Sequence, residues 1–287
     1  MLHVFRVHIG KKYILSWFQN VVTDLLADYE DCQNIVYMVD YAIQPNDDMI
    51  RFYNWLKDKN IEFYWIDHHA TAIQNLEHLG IPGYRTMKHS GCYNTYDFLN
   101  RQLSKEYSNF VEMAIPEVVL YINDFDIWNR TTTFSWNDKI LPMANFIASL
   151  GVNLNDNFDE LVVILNKLFN GEYLEKAIEI GKYITKYVFE QYEKNQKHIF
   201  RTKWLDYDCL VINSSTPGSL QFEKHPDYTE VDMCITFAYD GSTQAYQYGL
   251  YTTDKRINVG ELAATHLNGG GHEAAAGGRS KELIFNL

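Results

Sequence analysis

The chain has 287 residues, of which 46% are hydrophobic and 22% are charged. These proportions are typical of a globular protein with a buried core, and they exclude a disordered, collagen-like or disulfide-scaffold chain. Acidic residues number 37 and basic residues 25, which gives a net charge of −12. Because an acidic protein repels the phosphate backbone, we expect no tight binding to long duplex nucleic acid. A short oligonucleotide or nucleotide remains compatible with this charge where metal ions or a local basic pocket supply positive charge.

The 4 cysteines are scattered and form no CxxC pair. This spacing argues against a structural zinc site or a disulfide framework, and it favours a reducing compartment. No segment reaches the roughly 20 apolar residues that a membrane helix needs. Charged residues also interrupt the N-terminal segment before a signal-peptide apolar stretch develops. We therefore expect a cytoplasmic protein that does not bind a membrane.

The first elements along the chain predict a parallel β-α-β unit. Two apolar runs, 35–39 and 62–66, are rich in β-branched and aromatic residues and are typical of strands. Residues 46–59 between them carry apolar side chains at helical spacing, with Asn46 as the expected N-cap. In such units, functional groups lie at the carboxyl ends of the strands.

The rest of the chain divides into a helical part and a strand-rich part. We predict helices over 91–105, 113–122 and 158–198, strands over 209–213, 231–239 and 244–252, and a short helix over 259–267. The fold class is therefore α/β, with an N-terminal parallel-sheet domain, a smaller C-terminal α+β domain and a cleft between them. The expected bounds are 1–190 for the first domain, 191–203 for a connector and 204–287 for the second domain.

The most informative local cluster is Asp67-His68-His69, which directly follows the second predicted strand. Imidazole and carboxylate groups together suit Mn, Fe, Co or Zn better than Ca or Mg alone. The tripeptide by itself fits equally well with a polar strand end whose side chains bond to neighbouring backbone.

Two further acidic positions extend this cluster. Asp40 ends the first predicted strand, and Asp124 follows another apolar run together with Asp126. A lone aspartate at such a position is more often a turn or cap residue. Taken together, Asp40, His68 and Asp124 form a carboxylate–imidazole–carboxylate set that can bridge two metals roughly 4 Å apart, polarise a phosphoryl group and generate hydroxide.

A glycine run near the C-terminus is a candidate anion site. Gly270, Gly271 and His272 precede Ala274–Ala276, which we expect to begin a helix. Backbone amides in a glycine run and a helix N-terminus both favour negative charge. Arg279 is a further candidate phosphate ligand. The alternative is a flexible turn with a surface histidine and a solvated arginine.

Read together, these motifs resemble the DHH family of phosphoesterases with its DHH-associated C-terminal domain, a family that includes oligoribonucleases and pAp phosphatases. The resemblance rests on Asp40, the Asp67-His68-His69 triplet, Asp124 and the GGGHxxAAG pattern at 269–277. It implies that Asp40 bridges two metals, usually Mn²⁺ with Mg²⁺ or Co²⁺ as alternatives. It implies that His68 and Asp124 bind the second metal, and that Gly270, Gly271 and His272 hold the substrate.

The resemblance also implies a reaction, in which His69 meets the substrate phosphate and Asp67 orients the site. Metal-bound hydroxide would hydrolyse short oligonucleotides or small nucleotide phosphates. Family members begin with a strand and an HxDxDG motif that this sequence lacks, so we expect the first strand and helix to be missing. The opening FRVHIG resembles the family's second strand. The alternatives are a catalytically impaired nucleotide-binding protein and a small-molecule phosphatase or pyrophosphatase, and a homodimer is left open.

Overall fold

The computed structural model describes residues 35–43, 45–109, 111–151, 158–216 and 218–285, with the side chains of 158 and 159 left aside. The sequence FRVHIG at 5–10, which resembles the second strand of the family, lies outside the described residues. The expectation that a first strand and helix are missing therefore stays a prediction. Internal contacts divide the chain into two compact units, 1–68 with 72–185 and 69–71 with 186–287. The fold is mixed α/β, with a three-stranded parallel sheet and a separate six-stranded mixed sheet.

The sheet of the first unit confirms the predicted β-α-β arrangement. Its strands lie in the order β1-β2-β3 and are all parallel. They are β1 (Ile35–Val39), β2 (Glu62–Asp67) and β3 (Gly83–Arg85), connected by α1 (Asn46–Asp58) and α2 (Ala70–Leu76). The carboxyl ends of β1 and β2 therefore meet at one edge of the sheet.

Helix α1 covers one face of this sheet. Met49, Phe52 and Leu56 recur at helical spacing and are fully buried, packed in one cluster with Phe63 and Trp65 of β2. The predicted N-cap, Asn46, is wrong, because Pro45 occupies the cap position and Asn46 is the first helical residue. Proline holds its backbone at φ −70° and ψ 164°, which is extended, so the helix begins at the next residue.

The other helices described in the first unit are α3 (Gly91–Glu106), α4 (Glu117–Asp126), α5 (Leu141–Ser149) after a π-helical turn at Trp136–Ile140, and α6 (Phe158–Phe169). Helix α7 (Leu174–Asn195) begins in the first unit, and its residues from 186 onward belong to the second. Helix α4 begins at 117 rather than 113 because Pro116 is its N-cap and disfavours helical backbone before it. It also continues to Asp126, so the Asn123–Asp126 stretch is helical rather than a following loop.

The predicted connector, 191–203, consists of regular structure. The last turn of α7 is followed by a 3₁₀ turn at Gln196–His198 and then by the strand β4 (Phe200–Trp204). The polar run 191–198 is helical, and its side chains are partly or fully exposed to solvent. A helix with this exposure buries little surface, so it contains few apolar residues. The predicted domain bounds stay predictions.

The second unit is built on the six-stranded sheet, in the order β4-β5-β6-β7-β9-β8. Its other elements are β5 (Tyr207–Asn213), β6 (Met233–Asp240), β7 (Ala245–Tyr251), α8 (Val259–His266), β8 (Gly270–Gly271) and β9 (Ala275–Ser280). All neighbouring strands are antiparallel except β5 and β6, which are parallel. The predicted strands over 209–213, 231–239 and 244–252 and the helix over 259–267 are confirmed to within two residues at each end.

The helix expected after the glycine run is wrong. Ala275 begins the strand β9, whose Gly277 pairs with Gly249 of β7. The local alanine preference for helix yields here to pairing with a neighbouring strand, and two consecutive glycines remove the remaining helical propensity. No helix N-terminus therefore follows the glycine run to favour an anion.

None of the helices within the described ranges is long and apolar enough to cross a membrane.

The backbones of helices α5 and α7 are in close contact at Gly181 and Pro142. A Cβ atom built on Gly181 in α7 would lie 2.0 Å from the carbonyl oxygen of Pro142 in α5, and a Cβ is essentially never found so close to another heavy atom. Glycine is required at this position because of packing.

Replacing Gly181 with alanine should lower the free energy of unfolding by about 1–3 kcal/mol, since a core overpacked by one methyl group must shift. Urea denaturation of the purified variant measures this change. Gly241→Ala is the control, because a Cβ there meets nothing within 4 Å. We expect the control to change stability by no more than about 0.5 kcal/mol. A stability gain in Gly181→Ala, as helix propensity alone would give, would contradict the close packing.

Candidate functional site

Two carboxylates and one imidazole converge at the carboxyl edge of the parallel sheet. Asp40 directly follows β1 and His68 directly follows β2. The Nε2 atom of His68 lies 3.1 Å from Oδ1 of Asp40 and 3.2 Å from Oδ2 of Asp126. The His68 side chain is buried, while the Asp40 and Asp126 side chains are 52% and 42% exposed. We call these three side chains the convergence point. Its imidazole is buried in the core, and its two carboxylates are open to solvent.

Asp40 reaches this point in a left-handed backbone conformation, with φ at +54°. Its backbone N–H donates to the carbonyl oxygen of Ile66 at 2.8 Å, which adds one bond beyond the end of the β1–β2 ladder. Aspartate is one of the few residue types that tolerate this region of backbone conformation. Residues held in such regions cluster at functional sites, where the surrounding structure fixes them.

Asp67 fixes the chain at the start of the histidine pair. Its fully buried carboxylate accepts a hydrogen bond from the His68 backbone N–H at 2.7 Å and another from Nε1 of Trp65 at 3.2 Å. These bonds hold the peptide between β2 and His68. The geometry is compatible with the orienting role implied for Asp67, which stays a prediction.

Helix α4 brings Asp126, rather than Asp124, next to His68. Asp124 is buried, and its Oδ1 atom accepts hydrogen bonds from Nδ2 of Asn123 at 3.2 Å and from Nδ2 of Asn129 at 3.1 Å. Residues two apart on a helix point in nearly opposite directions, so only one of the two acids can face His68. The resemblance to the DHH family implied Asp124 as the ligand. The ligand role of Asp124 stays a prediction, and the distances favour Asp126.

Gly91 is a residue of this site that the sequence analysis did not single out. It is the first residue of α3, and a Cβ atom built on it would lie 2.3 Å from Oδ1 of Asp40. The carboxylate of Asp40 occupies the space that any other side chain at 91 would need. A glycine directly after the N-cap Ser90, in a helix that does not otherwise contain glycine, is the signal that could have found it.

The first turn of α3 is also bonded to α4. The Ser90 backbone N–H donates to Oδ1 of Asn123 at 2.9 Å, and the Ser90 hydroxyl accepts from the Tyr93 backbone N–H at 3.3 Å. Asn123 therefore links the N-terminus of α3 to the carboxylate of Asp124. These bonds fix the two helices that border the convergence point.

The donor set fits a divalent transition metal. A ring nitrogen carries at most one proton, so Nε2 of His68 cannot give a full hydrogen bond to both neighbouring carboxylates. A cation at this point would satisfy both carboxylates and the imidazole, and this ligand mixture suits Mn, Fe, Co or Zn. Burial raises the pKa of the nearby Cys92 thiol to about 11, so in the absence of a metal it stays protonated at neutral pH.

The residues predicted to hold substrate lie in the second unit. Gly270 and Gly271 form β8, opposite Gly277 and Ala276 of β9, and the His272 backbone N–H donates to the Ala275 carbonyl oxygen at 2.9 Å. The glycine run is thus an ordered strand and turn. Within the same unit, which includes residues 69–71, the rings of His69 and His272 stack with centroids 5.1 Å apart.

Arg279 lies on β9, opposite Gln247 of β7. Its backbone N–H donates to the Leu267 carbonyl oxygen at 2.6 Å. Its role as a phosphate ligand stays a prediction.

No family model matches the chain, and no curated protein matches it. An uncharacterized protein from Helicobacter pylori G27 is 16% identical with a TM-score of 0.44, over 98% of this chain and 86% of that chain. The pGpG-specific phosphodiesterase PggH from Vibrio cholerae is 14% identical with a TM-score of 0.36, over 79% of this chain and 82% of that chain. Both likenesses are distant, so the function proposed below rests on the residues of this chain.

Replacing Asp126 with asparagine should weaken Mn²⁺ binding by about tenfold or more, because it removes one of the two charges beside His68. Asp124→Asn should leave Mn²⁺ affinity within about threefold and lower the melting temperature, because it disrupts a buried hydrogen-bond network. Calorimetric titration with Mn²⁺ and thermal unfolding measure the two effects. Asp58→Asn, an exposed position on α1, controls for the loss of one charge. The reverse pattern, with Mn²⁺ binding lost only in Asp124→Asn, would contradict the assignment.

Proposed function

We propose that this protein is a metal-dependent phosphoesterase that hydrolyses short oligonucleotides or small nucleotide phosphates, with Mn²⁺ as its metal. The observation that carries the proposal is the convergence of the Asp40 and Asp126 carboxylates on Nε2 of His68, at 3.1 Å and 3.2 Å. The order of the motifs along the chain, which resembles that of DHH phosphoesterases, supports the same reaction class.

Asp40, His68 and Asp126 would hold the metal. When bound, a cation of this kind polarises a phosphoryl oxygen and lowers the pKa of water. Asp67 would keep His68 in place, through the 2.7 Å bond from its carboxylate to the His68 backbone N–H. Because Asp67 is fully buried, its carboxylate is shielded from solvent, which strengthens that bond.

The remaining predicted residues would bind the substrate. His69 and His272 can each donate a ring N–H to a phosphate oxygen, and their stacking within the second unit supports a shared role. Gly270 and Gly271 would let the chain approach the substrate closely, and Arg279 would contribute a positive charge. The net charge of −12 favours a short substrate over a long polymer, because electrostatic attraction along an extended backbone is absent.

Replacing His68 with alanine should lower kcat/KM by at least about a hundredfold on a 5′-phosphorylated dinucleotide and on 3′-phosphoadenosine 5′-phosphate. The variant loses the ring nitrogen on which the two carboxylates converge. Product release in the presence of Mn²⁺, followed by chromatography, measures the change. His78→Ala removes an exposed imidazole elsewhere in the first unit and is the matched control.

Either of two results would overturn this assignment. The first is a His68→Ala protein that is as active as the wild type. The second is wild-type hydrolysis that continues unchanged after removal of divalent cations with EDTA. Binding of the dinucleotide by the wild type without any turnover would instead favour a nucleotide-binding protein.

A further inference from the structure

A solvent-exposed tryptophan lies close in the chain to the convergence point. Trp128 follows Asp126 by two residues, and two residues span at most about 7 Å of chain. Its side chain is 40% exposed. Tryptophan is highly buried on average, so an indole exposed to this extent is a candidate for contact with a ligand.

The backbone at Trp128 is held in an unfavourable conformation. Its φ is +56°, in the left-handed region that bulky residues rarely adopt. Hydrogen bonds on both sides fix it there. The Trp128 N–H donates to the Phe125 carbonyl oxygen at 3.2 Å, and the Arg130 N–H donates to the Trp128 carbonyl oxygen at 3.0 Å.

Asn129, in the same turn, forms two hydrogen bonds with α4. Its backbone N–H donates to the Asp124 carbonyl oxygen at 2.8 Å, and its side-chain Nδ2 donates to Oδ1 of Asp124 at 3.1 Å. A strained residue persists only where the surroundings over-determine it, and such positions concentrate at ligand-binding sites. The buried Asp124 thus serves the turn that presents Trp128.

Trp128 belongs to an aromatic and cationic cluster. Its ring lies 5.1 Å from that of Trp136 at 72°, and 6.0 Å from that of Phe125. The guanidinium carbon of Arg130 lies 4.8 Å from the Trp128 ring centroid and 5.1 Å from that of Trp136. We call these four side chains the tryptophan platform.

The four side chains of the platform differ in whether they pack against the buried core. Phe125 and Trp136 pack against the buried cluster formed by α4, α5 and their neighbours, and are half-buried. Trp128 and Arg130 are exposed. Core packing therefore accounts for the first two rings, while the exposed indole of Trp128 lies against the guanidinium of Arg130.

We infer that the tryptophan platform binds a nucleobase of the substrate, which stacks on Trp128 while the adjoining phosphate lies at the convergence point. This inference rests on the proposed function and narrows its substrate class. Aromatic rings and guanidinium planes are the surfaces on which unpaired bases stack, with little dependence on base identity. Arg130 also supplies positive charge to the platform, which favours the phosphate that adjoins the stacked base.

The platform therefore selects single-stranded, base-bearing substrates. A base within a duplex is already stacked on both faces and cannot reach an indole in this position. Inorganic pyrophosphate and sugar phosphates have no aromatic ring to stack on the indole. Among the proposed substrates, those in which a base directly neighbours the scissile phosphate should bind best.

The test compares two ligands and two variants by isothermal titration calorimetry in the presence of Mn²⁺. The ligands are a 5′-phosphorylated dinucleotide analogue with non-hydrolysable phosphonate groups, which the protein cannot cleave during the titration, and the same molecule without its bases. Trp128→Ala should weaken binding of the dinucleotide by about ten- to a hundredfold, the range found for loss of one stacked base. It should change binding of the abasic ligand by less than about twofold. Trp128→Phe should restore most of the dinucleotide affinity, because it keeps an aromatic face.

Two controls separate stacking from a structural effect. Tyr183→Ala removes another exposed ring of the first unit, 71% exposed on α7, and should leave both affinities unchanged. Mn²⁺ affinity measured in Trp128→Ala should equal that of the wild type. A variant that loses Mn²⁺ binding, or loses affinity for both ligands equally, would show that Trp128 only supports the fold and would overturn the inference.

The outcomes also distinguish the inference from the proposed function. Trp128-dependent binding of the dinucleotide analogue, with no hydrolysis of the natural dinucleotide, would overturn the proposed function and keep the platform. Hydrolysis of phosphoesters with equal affinity for the dinucleotide and the abasic ligand would overturn the platform and keep the proposed function. A wild-type protein that binds no dinucleotide would overturn both.

Discussion

The register of β1 against β2 is the constraint on which the candidate site depends. Val39 pairs with Ile66, and the backbone N–H of the next residue, Asp40, donates to the Ile66 carbonyl oxygen. Because the strands are parallel, their carboxyl ends meet at one edge, and the residues that follow them arrive side by side. A shift of one residue would turn every side chain of β1 to the other face of the sheet and take Asp40 away from His68.

The helices of the first unit supply the remaining residues of the candidate site. Gly91 at the start of α3 leaves room for the carboxylate of Asp40, and the last turn of α4 delivers Asp126. Asn123 ties these two helices together. The buried Asp124 then holds the turn that carries Trp128. The last turn of α4 therefore supplies a charge to the convergence point, and the exposed indole of Trp128 follows two residues later in the chain.

Much of this arrangement could be predicted from local patterns. The β-α-β unit, the strand-end position of Asp40 and the placement of His68 follow from hydrophobic period and from the topology of parallel strands. Local patterns could not decide between Asp124 and Asp126 as the neighbour of His68. That depends on whether α4 continues four residues past its predicted end. The close approach of Asp40 to Gly91 is a tertiary contact, and its local sign is only the glycine directly after the N-cap Ser90. The stretch Ala275–Ser280 has a local preference for helix, which pairing with β7 overrides.

The central claim is that Asp40, His68 and Asp126 together bind a divalent metal. Crystals of the protein soaked in Mn²⁺, with diffraction data collected above and below the manganese absorption edge, test it most directly. We expect an anomalous difference peak that disappears below the edge and has these three side chains as its protein ligands. An empty convergence point at saturating Mn²⁺, or a peak bound by Asp124 in place of Asp126, would contradict the claim.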